Sequence, residues 1–415
     1  MSQHVLSAHS FLRRGEITLV RLAALGAFFG AFWGSGLGLV GLLGLPIIYR
    51  NLHCRRSVAA LMLGYYLMAA RGLPGGAAVF FGQEGGWLGW LFWAASSMIL
   101  AAPFVWLHRW RGYGFVGALV LVALPPLGFV GWCNPLTVAG LLFPGAGIYG
   151  LILTMGCMFL LAHRLADRGW LSCQIQLLFA VLVFSSAVNL AYIGSQERAG
   201  EVDTSWLGID TVFSALRSGV EVGGADIEGQ VDALARLEWV QRFMETIPAG
   251  ATAILPETVL GRFSPIAESF LSSSEQGLRA RGAGIFIGAE MPQKDGRYVN
   301  AMIGIGYAEE PILLAQSVPV PVSMWKPFTG TGAAPDLLGD HGVRQVGDRR
   351  IGVLICYEQM LPWVMLLRGV AAPDLVLSVK NVWWARGTSI PAIQEQSVSL
   401  FARLFGWKVI SATNT

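Results

Sequence analysis

Residues 351–363 read IGVLICYEQMLPW, an apolar run that stops at a cysteine. Such a short run, bounded by polar residues, has the pattern of a buried strand, here Arg350 to Ile355. An ionisable side chain directly after a strand stands where sheet proteins commonly place site residues. The pattern occurs twice more. LPETVLGRF (255–263) puts Glu257 behind the run Ala253-Ile254-Leu255, and MWKPF (324–328) puts Lys326 behind Met324-Trp325.

Outward from these three points the chain alternates strand and helix signals. Further strands are expected at Gly284 to Gly288, Ala301 to Tyr307 and Leu375 to Val379. Apolar residues at helical spacing mark Val231 to Met244, and helices are also expected at Ile266 to Arg281, Leu361 to Val370 and Ile390 to Phe405. That alternation predicts an α/β domain of layered sheets flanked by helices, over 195–415.

Each of the three site residues has a plain structural explanation: Glu257 as a helix-capping acid, Lys326 as a surface charge, Cys356 as core packing. Together they supply the parts of a thiol enzyme. A thiol attacks as thiolate, and a carboxylate takes the thiol proton and later returns one to a leaving amine. A lysine ammonium stabilises the oxyanion of a tetrahedral intermediate. Burial of Glu257 would raise its pKa toward the range of a working base.

Upstream of residue 195 the composition changes. The chain as a whole is 54% hydrophobic and 13% charged, well off the balance of a soluble globule. Apolar runs at 58–82, 87–107, 114–131, 139–162 and 171–193 approach the length of about 20 residues that a bilayer core requires. The run 22–49, broken by Gly34-Ser35-Gly36, is expected to form a helical hairpin or re-entrant pair. Lys and Arg concentrate in alternate loops, at Arg13-Arg14, Arg50 to Arg56, His108 to Arg111 and His163 to Arg168, which assigns those loops to the cytoplasm. The expectation is a polytopic α-helical membrane domain over 1–194, with five to seven crossings and the domain after it outside the bacterial inner membrane, in the periplasm. No removable signal peptide is evident, so the first apolar run is expected to stay as an anchor. Arg71 lies within an apolar run but precedes Gly72-Leu73-Pro74-Gly75, so a helix break and a functional charge are both open. Trp87, Trp90, Trp106 and Trp110 fit an interfacial belt.

Several function classes are disfavoured. A net charge of +3 spread over many loops gives no nucleic-acid footprint. Of five cysteines only Cys356 lies in the second half, so no disulfide framework is implied. The six histidines, among which only His341 falls after residue 195, show no metal-ligand spacing, and no Gly-rich loop ends in Gly-Lys-Ser/Thr. No cofactor is expected.

The three segments, with NVWW (381–384), resemble the nitrilase or carbon–nitrogen hydrolase superfamily, whose triad runs Glu, Lys, Cys in chain order. The resemblance covers about residues 205–415. It implies a nitrilase-like αββα sandwich, Cys356 as a nucleophile passing through a thioester, Glu257 as base and Lys326 as oxyanion support. It also implies that Tyr357, Glu358, Asn381, Trp383 and Trp384 line the substrate site. A membrane half joined to such a domain is similar to apolipoprotein N-acyltransferase. This chain departs from that branch in the loop after the lysine, where Thr329 to Leu338 offers Asp336 and no glutamate. The same design is similar to a family of plasmid conjugal transfer proteins, which implies conjugation machinery as partners beside the lipid bilayer and an acyl or amide substrate. An assembly protein that kept the fold without the chemistry is one alternative, and apolipoprotein N-acyltransferase the other.

Overall fold

The computed structural model describes residues 18–35, 37–163, 170–198, 205–213, 227–307, 311–326, 329–337 and 342–415. They form two compact units: Met1–Arg198 with Met360–Trp363 and Gly387–Gly406, and Ala199–Gln359 with Val364–Arg386 and Trp407–Thr415. The expected single boundary near residue 195 is therefore crossed by two segments that return to the helical unit. Backbone and side-chain polar groups hold them there. Gly34 N donates to Gln396 Oε1 at 2.8 Å, and Arg403 Nη2 donates to Asn189 Oδ1 at 2.6 Å.

In the helical unit, α1 (Thr18–Gly30), α2 (Gly44–Asn51), α3 (Arg55–Ala69), α4 (Leu73–Leu107), α5 (Arg111–Ala123), α6 (Ala139–Leu142), α7 (Gly147–Ala162) and α8 (Trp170–Arg198) follow in order. α1 and α3 meet backbone to backbone. A Cβ at Gly26 would strike the Leu61 carbonyl, one at Gly30 that of Tyr65, and one at Gly64 that of Ala23. Small residues four apart allow this approach, the mode by which helices associate when no water drives them together.

The runs 87–107 and 171–193 lie inside α4 and α8, whereas glycine and proline interrupt the runs 58–82 and 139–162. The 58–82 run breaks between α3 and α4, where Pro74 opens the new helix, and α4 bends again at Gly82, which has φ 73°. The run 139–162 is a pair of helices bent by 117° across Pro144-Gly145. Two stretches, Gly85–Ala123 and Ile175–Ser195, are long and apolar enough to cross a membrane, or three with the bent pair. The second has little cover: Ile175, Phe179 and Leu190 are 61%, 68% and 72% exposed. The 22–49 run comprises most of α1, a turn with Gly34 at φ 78°, a 3₁₀ stretch over Leu37–Leu43 and α2. Arg71 caps carbonyls, donating to Met68 O and Trp33 O.

The second unit carries two sheets. β1 (Trp206–Gly208), α9 (Ile227–Thr246), β2 (Thr252–Ile254), α10 (Pro265–Ala280), β3 (Gly284–Pro292), β4 (Tyr298–Ile305) and β5 (Ile312–Ala315) give a five-stranded sheet in sequential order. Its first three strands are parallel and the last two antiparallel. β6 (Val343–Val346), β7 (Arg349–Ile355), α11 (Pro362–Ala371), β8 (Leu375–Asn381) and β9 (Lys408–Asn414) follow, with α12 (Ile390–Phe405) of the helical unit falling between β8 and β9 in the chain, and their strands form a four-stranded sheet in which β7, β8 and β9 run parallel.

Alternation along β3 explains the layering. Ile285 and Ile287 pack with Leu237, Val240 and Met244 of α9 and Leu271 and Leu278 of α10. Phe286 points the other way, into a cluster shared by Ile254, Met302 and Leu314 of one sheet and Ile351, Val353, Ile355 and Leu377 of the other. Strands buried on both faces read as continuous apolar runs, which is why β7 was legible. The two sheets therefore face one another. The carboxyl ends of β2, β7 and β8 deliver Glu257, Cys356 and Asn381.

Candidate active site

Glu257 leaves β2 on a loop that β3 crosses at closest approach. A Cβ on Gly288 would collide with Pro256 O, Thr258 N and the carbonyl carbon of Glu257, so only glycine lets the strand pass. The following residue, Thr258, takes φ 56°, a left-handed conformation rare outside glycine. The carboxyl is buried. Asn300 Nδ2 donates to Oε1 at 2.6 Å, the Asn381 backbone N–H donates to Oε2 at 3.1 Å, and the Cys356 thiol also hydrogen-bonds the group. Burial pushes its pKa up to about 7, against the pull of those three donors and with a small further push from the charge of Glu358.

Cys356 is the first residue past β7 and opens a 3₁₀ turn, Cys356–Met360. Its φ of 47° is again left-handed, a strained choice for a residue with a side chain and one that clusters at functional sites. The Cys356 thiol and the Glu257 carboxyl are thus in hydrogen-bonding contact.

Glu358 lies two residues on, fully buried, and is saturated by main chain rather than by substrate-facing groups. Its Oε1 accepts from Ser317 N at 2.7 Å and Val318 N at 3.2 Å, and its Oε2 from Ile355 N at 3.0 Å. Arg368 stands 3.8 Å away and itself donates to Val353 O and Ser317 Oγ. Burial raises the Glu358 pKa, opposed first by the Arg368 charge. The structure makes this carboxylate a brace under the turn, whereas the resemblance implied a site-lining acid.

Lys326 is placed differently from the other two. Its side chain is exposed, beside Gly332, and joins neither Glu257 nor Cys356 by any hydrogen bond or ion pair among the described residues. Tyr357 is buried next to the cysteine, and its burial pushes the phenol pKa up. Asn381 contributes its main chain to Glu257, and its Oδ1 accepts from Asn414 Nδ2 at 2.9 Å. Trp383 and Trp384 are half-buried, and Trp384 Nε1 donates to Asn381 O.

Three residues at the site carry no motif. Asn300 donates both to Glu257 and to Gln316 Oε1, and Gln316 Nε2 reaches Ile355 O, the carbonyl just before the cysteine. Because both Asn300 contacts are to acceptors, its amide orientation is fixed, and Oδ1 remains a buried acceptor without a partner among the described residues. Asn414 takes hydrogen bonds from Thr211 Oγ1 and Phe213 N while holding Asn381. The available signal was a polar residue inside an apolar strand, as in VNAMIGI (299–305). Among the described residues no group of three or more His, Cys, Asp or Glu converges as a metal site, and His341 lies outside them.

Comparison with known proteins gives whole-chain relatives. A probable conjugal transfer protein TraB of Sinorhizobium fredii is 32% identical over 392 residues, covering 92% of this chain and 94% of that one. The conjugal transfer protein TraB of Agrobacterium fabrum is 32% identical over 431 residues, covering 97% and 94%. No family model matches. Among solved structures, an amidase from Nesterenkonia sp. aligns at 15% identity with a TM-score of 0.35, over 52% of this chain and 79% of that one. A mutant form of the Nesterenkonia AN1 amidase, of the nitrilase superfamily, aligns at 15% identity with a TM-score of 0.34 over the same shares.

Proposed function

Since the chain belongs to the family of conjugal transfer proteins TraB, we propose that it serves conjugal transfer as a membrane-bound thiol enzyme acting on a carbon–nitrogen or acyl bond. The observation that carries the enzymatic half is the contact between the Cys356 thiol and a buried Glu257 carboxyl with a pKa near 7. A base near the working pH takes the proton as the sulfur attacks a carbonyl carbon. The tetrahedral intermediate collapses to a thioester as Glu257 returns the proton to the departing amine. Water or an acceptor nucleophile, deprotonated by the same carboxylate, then releases the acyl group and restores the thiol. The open acceptor on Asn300 suits a substrate amide N–H, and Lys326 is assigned the oxyanion. That role requires the loop around 322–333 to carry the ammonium inward when substrate binds.

The test is Cys356→Ala and Glu257→Gln in a conjugating strain, read as transfer frequency, with covalent labelling of the purified full chain by iodoacetamide as the direct readout. Loss of both supports the enzyme. Undiminished transfer at normal expression would sink it and leave the second reading, a scaffold with this fold, which the exposed position of Lys326 favours. The multi-pass inner-membrane placement, with the α/β unit in the periplasm, is part of the same proposal. It is supported by the uncovered apolar surface of α8 and by the charge of the loops. With Cys54 as sole cysteine, exposed in a basic loop, an impermeant maleimide should label inverted vesicles and not spheroplasts.

A further inference from the structure

The helical unit holds a second concentration of ionisable groups that the chemistry at Cys356 does not use. Where α2 gives way to α3, and α4 to α5, a cavity of about 280 Å³ is lined by Leu52, His53, Arg55, His108, Arg109 and Arg111. Five of these six side chains are basic. The two corners are tied together, since Arg111 Nη1 donates to Arg50 O at 3.2 Å, and Arg50 Nη1 in turn holds His163 O at 2.9 Å. Arg111 reaches this position from a left-handed backbone, φ 46°. His53, Arg55 and Arg111 all lie within electrostatic reach of His108.

Among the described residues these charges meet no counter-ion. Between residues 17 and 166 the only acidic residue is Glu84. It sits toward the other end of α4, about 35 Å along the helix from His108. No carboxylate pairs with a lining residue among the described residues. Three guanidinium groups around one cavity repel one another unless an anion joins them, and their planar forks match phosphate oxygens in pairs. The surroundings indicate where such an anion resides. Trp106, Trp110 and Tyr113 beside the cavity are 68%, 48% and 70% exposed, and the Arg109 guanidinium lies over the Trp110 ring at 4.7 Å. Exposed aromatic residues next to cationic ones are the surface that meets lipid headgroups.

We infer that this pocket binds a phosphate group, carried by an anionic phospholipid or free in solution. It involves no residue of the Glu257–Cys356 corner, so it stands whether or not that corner turns over; its lipid source rests on the membrane placement proposed above.

The test uses the full chain in neutral detergent. Thermal melting is followed against inorganic phosphate at ionic strength matched with chloride, and native mass spectrometry counts lipid adducts from micelles doped with phosphatidylglycerol or phosphatidylcholine. Expected is saturable binding of phosphate, of phosphatidylglycerol, or of both, and none of phosphatidylcholine. Phosphatidylglycerol alone identifies a lipid headgroup, and inorganic phosphate alone a soluble anion. The pair Arg55→Gln/Arg109→Gln should weaken binding at least tenfold, Arg55→Lys/Arg109→Lys should retain most of it, and Arg242→Gln on α9 should change nothing. Cys356→Ala should bind as the parent does. Absence of binding to both probes, or equal binding by the glutamine pair in a folded protein, overturns the inference.

Discussion

Two carboxylates are buried within two residues of the same cysteine, or against it, and the protein treats them in opposite ways. Glu358 is saturated, with three backbone N–H donors and an arginine around it. Glu257 has one backbone N–H, one amide and a thiol, no ion pair among the described residues, and a pKa near 7. A fully satisfied buried charge rigidifies what it touches, whereas an under-satisfied one remains able to exchange a proton. The contrast separates a carboxylate that braces the turn from one that, under the proposed function, exchanges a proton with it.

The sharpest way to break the contrast is to disable Glu257, the base of the proposed reaction. Glu257→Gln should lower alkylation of Cys356 by about 10²- to 10⁴-fold at pH 7, the usual worth of a positioned base. Its stability should move the other way. Because the folded pKa lies above the ordinary 4.5, ionisation is disfavoured in the native state, so the parent should lose stability as pH rises from 4.5 through about 7. The Gln variant should show a smaller slope in a melt recorded from pH 5 to 8, keeping only what Glu358, whose pKa burial also raises, contributes. A parent with a flat profile would show that Glu257 is not the buried acid described.

Arg368→Ala should strand Glu358 and destabilise the unit by about 3–5 kcal/mol in denaturant titration, the cost of leaving a buried charge unpaired. A loss well below 1 kcal/mol would mean that the backbone donors alone satisfy the brace. Gly288→Ala pushes a methyl into the main chain beside Glu257, and about 1–3 kcal/mol of strain is expected, with slower alkylation because the base is displaced. Smallest of the four, Asn300→Ala should cost about 1–3-fold in folded yield, on the order of half a kcal/mol, and raise the midpoint of the pH profile of alkylation, since a donor to the carboxylate is gone. A midpoint that falls would reverse the role given to Asn300.

Much of this corner was legible because an ionisable residue at the end of an apolar run is conspicuous. Glu257 and Cys356 emerge from β2 and β7 as their runs foretold, and α9, α10, α11 and α12 lie within a few residues of the predicted helices. Lys326 followed the same rule and met a different outcome, because Met324-Trp325 forms a turn with isolated bridges and not a strand, leaving the lysine in solvent. Asn300, Gln316 and Asn414 were not legible, because their partners are 16 to 203 positions distant and appear only when the sheets assemble. The helix bounds of the helical unit were less legible for a related reason. Hydropathy marks an apolar run, but the interruptions at Gly72-Leu73-Pro74, Gly82 and Pro144-Gly145 decide how long each helix grows.

The left-handed backbone at Cys356 carries a consequence for descent. Glycine would occupy φ 47° without strain, so the backbone at this position does not itself call for cysteine. A lineage that had ceased to use the thiol would be free to relax there, and its members would accumulate glycine or asparagine after β7. Retention of cysteine among descendants would therefore report selection on the side chain, for its sulfur or for its packing between the sheets, and not on the turn.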